Sequence, residues 1–283
     1  MRKIAIDRNL LKKMLTAVLA AALLLFAAIS LNSGAKAASA ESLYIRKVVS
    51  VVYDDSGSMN NADSTFKRGE KHAYANYAMQ AFCGMLNAED TLYITYMNAS
   101  KSNAADADRY GYKADNIELS AGEIQNSIDK IRAHQSNGGT PYGAVESAFN
   151  RLKAVETDNA NTQYWLVVIT DGDFDIDDGI VYNEERLNDK FKEYAETEMP
   201  NGTHPQITFL GIGNVVSPDE DEDGGIYTYT AQNATGITDA MNEMADRISG
   251  RTRLSSGSMK QINSNNIEVS SSIPLLNIVL FTQ

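Results

Sequence analysis

Apolar runs alternate with helical stripes along most of this chain. Residues 48–53, Val-Val-Ser-Val-Val-Tyr, are almost continuously apolar, the pattern of a strand covered on both faces. Residues 70–86 place Ala75, Ala78, Met79, Phe82, Cys83 and Leu86 on one helical stripe. A strand is predicted at 90–97, with Leu92, Ile94 and Tyr96 on one side, and a short one near 116–119, beyond a polar loop at 98–113. Ile124, Ile128 and Ile131 mark a helix over 121–134. Val145, Ala148, Phe149, Leu152 and Val155 mark another, with Pro141 in its first turn. A strand at 164–170, a charged surface helix at 184–198 and a last apolar strand at 206–212 follow. Ile237, Ala240, Met241, Met244 and Ile248 give the closing helix. This alternation predicts an α/β fold, a doubly wound and mainly parallel sheet with helices on both faces. After Arg253 the pattern changes. Residues 254–272 are rich in Ser, Gly and Asn and read as a linker, and 273–283 read as the first strand of a truncated, β-rich second domain.

Composition fits one such domain with extensions. The 283 residues are 43% hydrophobic, enough for a real core. The first 40 residues have the order of an export signal: a basic start (Arg2, Lys3, Arg8, Lys12, Lys13), an apolar stretch over 14–31, then two small-x-small sites. Cleavage after Ala40 is expected. An uncleaved membrane anchor is the alternative, since the stretch approaches spanning length. Either way the basic flank stays inside and the domain is expected outside the cytoplasm, secreted or at the cell surface. The leader holds six basic residues and one acidic residue, so the formal charge of −12 becomes −17 without it. Such an acidic chain argues against nucleic acid and against unaided binding to anionic membranes. Contact with a membrane is expected only through an uncleaved leader or a missing C-terminal region. Cys83 is the only cysteine, which excludes an internal disulfide, and its place on the apolar stripe predicts a buried thiol. Export without disulfides leans toward a bacterial protein.

The candidate chemistry lies at the ends of two predicted strands. Asp54-Asp55-Ser56-Gly57-Ser58-Met59 follows the first apolar run directly. In open α/β sheets, ligands gather at the carboxyl ends of strands. A carboxylate with two hydroxyls is a hard oxygen donor set, suited to Mg²⁺, Mn²⁺ or Ca²⁺ and poor for Zn²⁺. Asp54, Ser56 and Ser58 alternate, so one turn can aim all three at a point. Gly138-Gly139-Thr140-Pro141 precedes a helical pattern and puts the Thr140 hydroxyl near a helix start. Trp165 to Gly172 is another apolar run ending in Thr170-Asp171-Gly172.

Asp54-x-Ser56-Gly57-Ser58, Thr140 and Asp171, in that order, resemble the metal-ion-dependent adhesion site of von Willebrand factor type A domains. The resemblance covers roughly residues 46–253, and Ser58-Met59 and Gly139-Thr140-Pro141 are most similar to bacterial members. It implies that Ser56, Ser58 and Thr140 coordinate the metal through hydroxyls, while Asp54 and Asp171 add charge, often through water. It also implies a free coordination position that accepts an Asp or Glu carboxylate from a partner protein. Movement of the threonine loop would tune affinity. Asp55 departs from the family's usual apolar neighbour and is expected to be solvated.

A second Ca²⁺ site is also a candidate. Asp219, Asp221 and Asp223, with Gly224 and Ile226, have the spacing of a calcium loop, but Thr230 stands where its acidic twelfth ligand belongs. Residues 173–179 form a similar, incomplete run. Solvated acidic loops are the favoured reading for both. The leading function is therefore a non-enzymatic, metal-dependent adhesion or protein-binding module. The alternatives are a scaffold with a closed metal site and, further off, a metal-dependent hydrolase. Against the hydrolase, there is no G-x-S-x-G elbow and no Walker loop. Ser56 replaces the second Asp of an aspartate-nucleophile phosphatase. His72, His134 and His204 fall where surface or capping roles are expected.

Overall fold

A computed structural model describes residues 45–97, 114–117, 123–135, 138–157, 161–175, 180–250, 259–263 and 266–269. The leader, the 98–113 loop and the 273–283 segment lie outside the described residues. Six strands form one sheet: β1 (Arg46–Tyr53), β2 (Thr91–Tyr96), β3 (Ala114–Ile117), β4 (Thr162–Thr170), β5 (Gln206–Ile212) and β6 (Ile226–Ala231). Their order is β3-β2-β1-β4-β5-β6; β2, β1, β4, β5 and β6 run parallel, and β3 pairs antiparallel to β2.

The helices are α1 (Glu70–Met85), α2 (Ile124–Ala133), α3 (Gly143–Lys153), α4 (Glu184–Ala195) and α5 (Ala234–Ser249). Alternate residues of the central strands feed two cores, as the pleat requires. Val49, Val51 and Tyr53 of β1 join Trp165, Val167 and Ile169 of β4 under α1 and α5. Val48 and Val52 join Tyr164, Leu166 and Val168 under α3 and α4. Ser50, the polar break in β1, is fully buried, and its hydroxyl donates to the Ala148 carbonyl of α3 at 3.0 Å. That bond satisfies the hydroxyl and ties α3 to the sheet. Asn183 and Asn233 cap α4 and α5, their side chains accepting from Arg186 N and Gly236 N.

The structure departs from the pattern reading at three places. β3 begins two residues earlier than expected. β6 was not expected: its Ile-Tyr-Thr-Tyr-Thr-Ala buries only Ile226 and Ala231, as an edge strand does, so it lacks an apolar run. The stretch read as a linker carries an antiparallel hairpin, β7 (Met259–Asn263) with β8 (Asn266–Val269). Its strands are short, and Ser and Asn dominate the composition around them.

Candidate metal centre

The centre forms where β1 and β4 end side by side. Asp54 N donates to the Ile169 carbonyl at 2.9 Å, extending the parallel pairing by one residue and bringing Asp54 against Thr170 and Asp171. The carboxylate is fully buried. Its Oδ1 accepts from Ser56 N at 2.8 Å, and its Oδ2 accepts from Thr170 Oγ1 at 2.7 Å and Asp171 N at 3.2 Å. Burial pushes the Asp54 carboxyl up to about 6, against the pull of the Ser56 and Thr170 hydrogen bonds.

The serines complete the chain of contacts. Ser58 Oγ donates to Asp171 Oδ1 at 2.7 Å, so the 2.7 Å contact between the two serine hydroxyls has Ser56 as donor. Asp171 Oδ2 accepts from Lys71 Nζ at 2.6 Å. Thr140 arrives from a third loop. Gly57 N donates to the Gly138 carbonyl at 3.0 Å, joining the serine loop to the threonine loop. A Cβ on Gly172 would lie 3.4 Å from Thr140 Oγ1 and 3.8 Å from Ser58 Oγ, so both hydroxyls flank this glycine. Asp54, Ser56, Ser58, Thr140 and Asp171 therefore meet at one end of the sheet. Three hydroxyls and two carboxylates are a hard oxygen set that fits a divalent cation such as Mg²⁺.

Three residues that the sequence reading did not place at the centre help build it. Asp175 Oδ2 accepts from Thr140 N at 2.9 Å, and Asp175 N donates to the Thr140 carbonyl at 2.9 Å. This two-way clamp fixes the threonine loop. The Asp175 carboxylate packs directly on Gly139, where a Cβ would collide with its Oδ2 and push it aside. Lys71, second residue of α1, sits on the same stripe as Ala75, Ala78 and Met79; a lysine at a stripe position was the available signal. His134 ends α2 and turns its ring back to Asp55.

Asp55 corrects an expectation. It is buried, not solvated, with Oδ2 2.9 Å from His134 Nε2. The His134 ring stacks on Tyr96 at 3.5 Å between centroids. Burial lowers the pKa of nearby His72. His134 takes the capping position expected of it, its N donating to the Ile131 carbonyl at 3.2 Å at the end of α2, and its ring adds the contact to Asp55.

The candidate calcium ligands do not gather. Asp219 exchanges hydrogen bonds with Asn188, Asp221 accepts from Gly224 N, and Asp223 is exposed. Thr230, at the twelfth position, lies inside β6. In the second run, Asp173 Oδ1 accepts from Val216 N and Asp175 serves the threonine loop, while 176–179 lie outside the described residues. Among the described residues, no three His, Cys, Asp or Glu side chains are arranged to hold a metal. The main centre depends on hydroxyls instead. A cleft of about 270 Å³ adjoins it, running from Asp171 past Asp63 and Thr65 to Gly213, Asn214 and Gln232.

No protein-family model matches this sequence, and no curated protein does. Solved structures match its fold. A von Willebrand factor type A protein from Catenulispora acidiphila superposes with a TM-score of 0.50 at 13% identity, over 73% of this chain and 43% of that one. The pilus adhesin SpaC from Lactobacillus rhamnosus GG gives 0.48 at 14% identity, over 74% and 31%. An aerotolerance-related membrane protein from Bacteroides fragilis gives 0.39 at 15% identity, over 71% and 99%. The chain thus spans less than half the length of the first two. Its fold is that of a von Willebrand factor type A domain, Rossmann-like, with a five-stranded parallel core.

Proposed function

We propose that this chain is an exported, metal-dependent protein-binding module of the adhesion type. The observation that carries the reading is the meeting of Asp54, Ser56, Ser58, Thr140 and Asp171 from three separate loops at the carboxyl end of the sheet. Ser56, Ser58 and Thr140 would hold the cation through neutral oxygens, with Asp54 and Asp171 supplying charge. A bound Mg²⁺, or Mn²⁺ or Ca²⁺ in its place, supplies an electrophilic position for an Asp or Glu carboxylate of a partner protein. Thr170 and the backbone around Ser56 hold Asp54 in place, and Asp175 holds Thr140, so the donors are organised before any ligand arrives.

The acidic chain supports a protein partner over nucleic acid, and the leader supports a place at the cell surface or in the medium. No helix among the described residues is long and apolar enough to cross a membrane. A scaffold with a closed site is the second reading, favoured by the Lys71 contact on Asp171. Acetate titrated onto the Mn²⁺-loaded protein separates the two. An open position gives a saturable fall in water-proton relaxivity as acetate displaces coordinated water, and a closed one gives none.

A further inference from the structure

Lys71 carries a positive charge into the centre. Its Nζ lies 2.6 Å from Asp171 Oδ2 and 3.1 Å from Asp63 Oδ2. The Lys71 side chain is 6% exposed and the Asp171 side chain 0%. Asp63 sits at the rim, 37% exposed, and is itself held firmly. Its Oδ1 accepts from Thr65 N, Thr65 Oγ1 and Phe66 N at 2.8 to 2.9 Å. Those backbone bonds hold the Asp63 carboxyl well below the usual carboxylate range, so it stays ionised. The ammonium therefore stands between an acid of the metal centre and a fixed acid outside it.

With Lys71 in place, the centre is one unit more positive than its carboxylates alone would make it. A divalent cation and the ammonium must share Asp171, and two cations at close range in a buried site repel strongly. We propose that Lys71 is a built-in counter-charge of the metal centre: it loosens the hold on the divalent cation and makes the bound cation a stronger acceptor for an incoming carboxylate. This rests on the metal-binding reading above. Asp63 makes the arrangement workable. When a cation takes over Asp171, the ammonium keeps a carboxylate partner and is not left as an unpaired buried charge.

The test is Mn²⁺ titration of the protein followed by electron paramagnetic resonance. Wild type, Lys71→Met, Lys71→Arg, Asp63→Asn and Ser56→Ala are compared. Lys71→Met should bind Mn²⁺ at least about tenfold more tightly than wild type. Lys71→Arg keeps the charge and should stay near wild type, which a purely steric role would not require. Acetate should bind the Mn²⁺-loaded Lys71→Met protein several-fold more weakly. Asp63→Asn changes an exposed side chain and should weaken Mn²⁺ binding, because the ammonium is then left to Asp171 alone. Should Lys71→Met fail to fold, Asp63→Asn decides the matter: unchanged or tighter Mn²⁺ binding overturns the inference. Unchanged or weaker binding in a folded Lys71→Met also overturns it. If wild-type binding depends on Ser56 while Lys71→Met matches wild type, only the role of Lys71 fails. If wild-type binding survives Ser56→Ala, or neither wild type nor Lys71→Met binds Mn²⁺, the metal reading fails with it.

Discussion

His134 Nε2 lies 2.9 Å from Asp55 Oδ2, and this contact joins the end of α2 to the loop that carries Ser56 and Ser58. Asp55 is buried, and the His134 ring is held flat against Tyr96. His134→Ala removes both the hydrogen bond and the stacking. Loss of one hydrogen bond to a buried carboxylate, together with the ring stacking, costs on the order of 1–3 kcal/mol, so urea denaturation should show that fall in unfolding free energy. A change within experimental error would mean the contact is incidental to stability.

The threonine loop should be sensitive to a single methyl group. Gly139→Ala drives a Cβ into Asp175 Oδ2, the atom that accepts from Thr140 N. The clamp must open, and Thr140 loses its fixed position. Far-ultraviolet circular dichroism should be unchanged while the Mn²⁺ dissociation constant rises by about tenfold or more, the effect expected for loss of roughly one ligand interaction. Equal affinity in the variant would show that the Asp175 clamp does not set the position of Thr140 in the site.

Acid should weaken the site in a defined window. Burial raises the Asp54 carboxyl from its ordinary 3.8 to about 6. The neutral acid is thus favoured by the fold, and its contribution to stability is present below about pH 4 and lost as pH rises through about 6. For the cation the sign is opposite, because it competes with the proton on Asp54. Mn²⁺ affinity should be flat above about pH 6.5 and fall as pH drops below about 6. A profile that stays flat to pH 5 would contradict competition between the cation and a proton on Asp54 in this window.

Cys83 should be chemically silent in the folded protein. It is fully buried in the core beneath α1, and burial pushes its thiol up to about 12. A thiol reagent such as dithionitrobenzoate should react only after denaturant is added. Rapid reaction at neutral pH would contradict the packing of α1 against the sheet.

The periodicities of β1, β4 and β5 were legible because both faces of each strand are covered, which leaves continuous apolar runs. The five candidate ligands were picked out by the resemblance of three separated motifs in order and spacing, and the fold brings them to one end of the sheet. β6 was hidden by its half-exposed edge position, although its Tyr and Thr content was a usable β signal. The burial of Asp55 was missed because its partner His134 stands 79 positions further along the chain, and only the fold brings the two together. The acidic run at 219–223 resembled a cation loop, yet its spacing belongs to a turn that leads into β6 and ties back through Asp221 and Ile226.

Calorimetric titration of the protein with Mg²⁺, Mn²⁺ and Ca²⁺, beside an Asp54→Ala/Asp171→Ala double variant, measures whether the three loops build a divalent-cation site. Saturable binding is expected in the wild type and none in the double variant, with helical circular dichroism retained in both. No binding at millimolar metal, or equal binding by the double variant, would contradict that site.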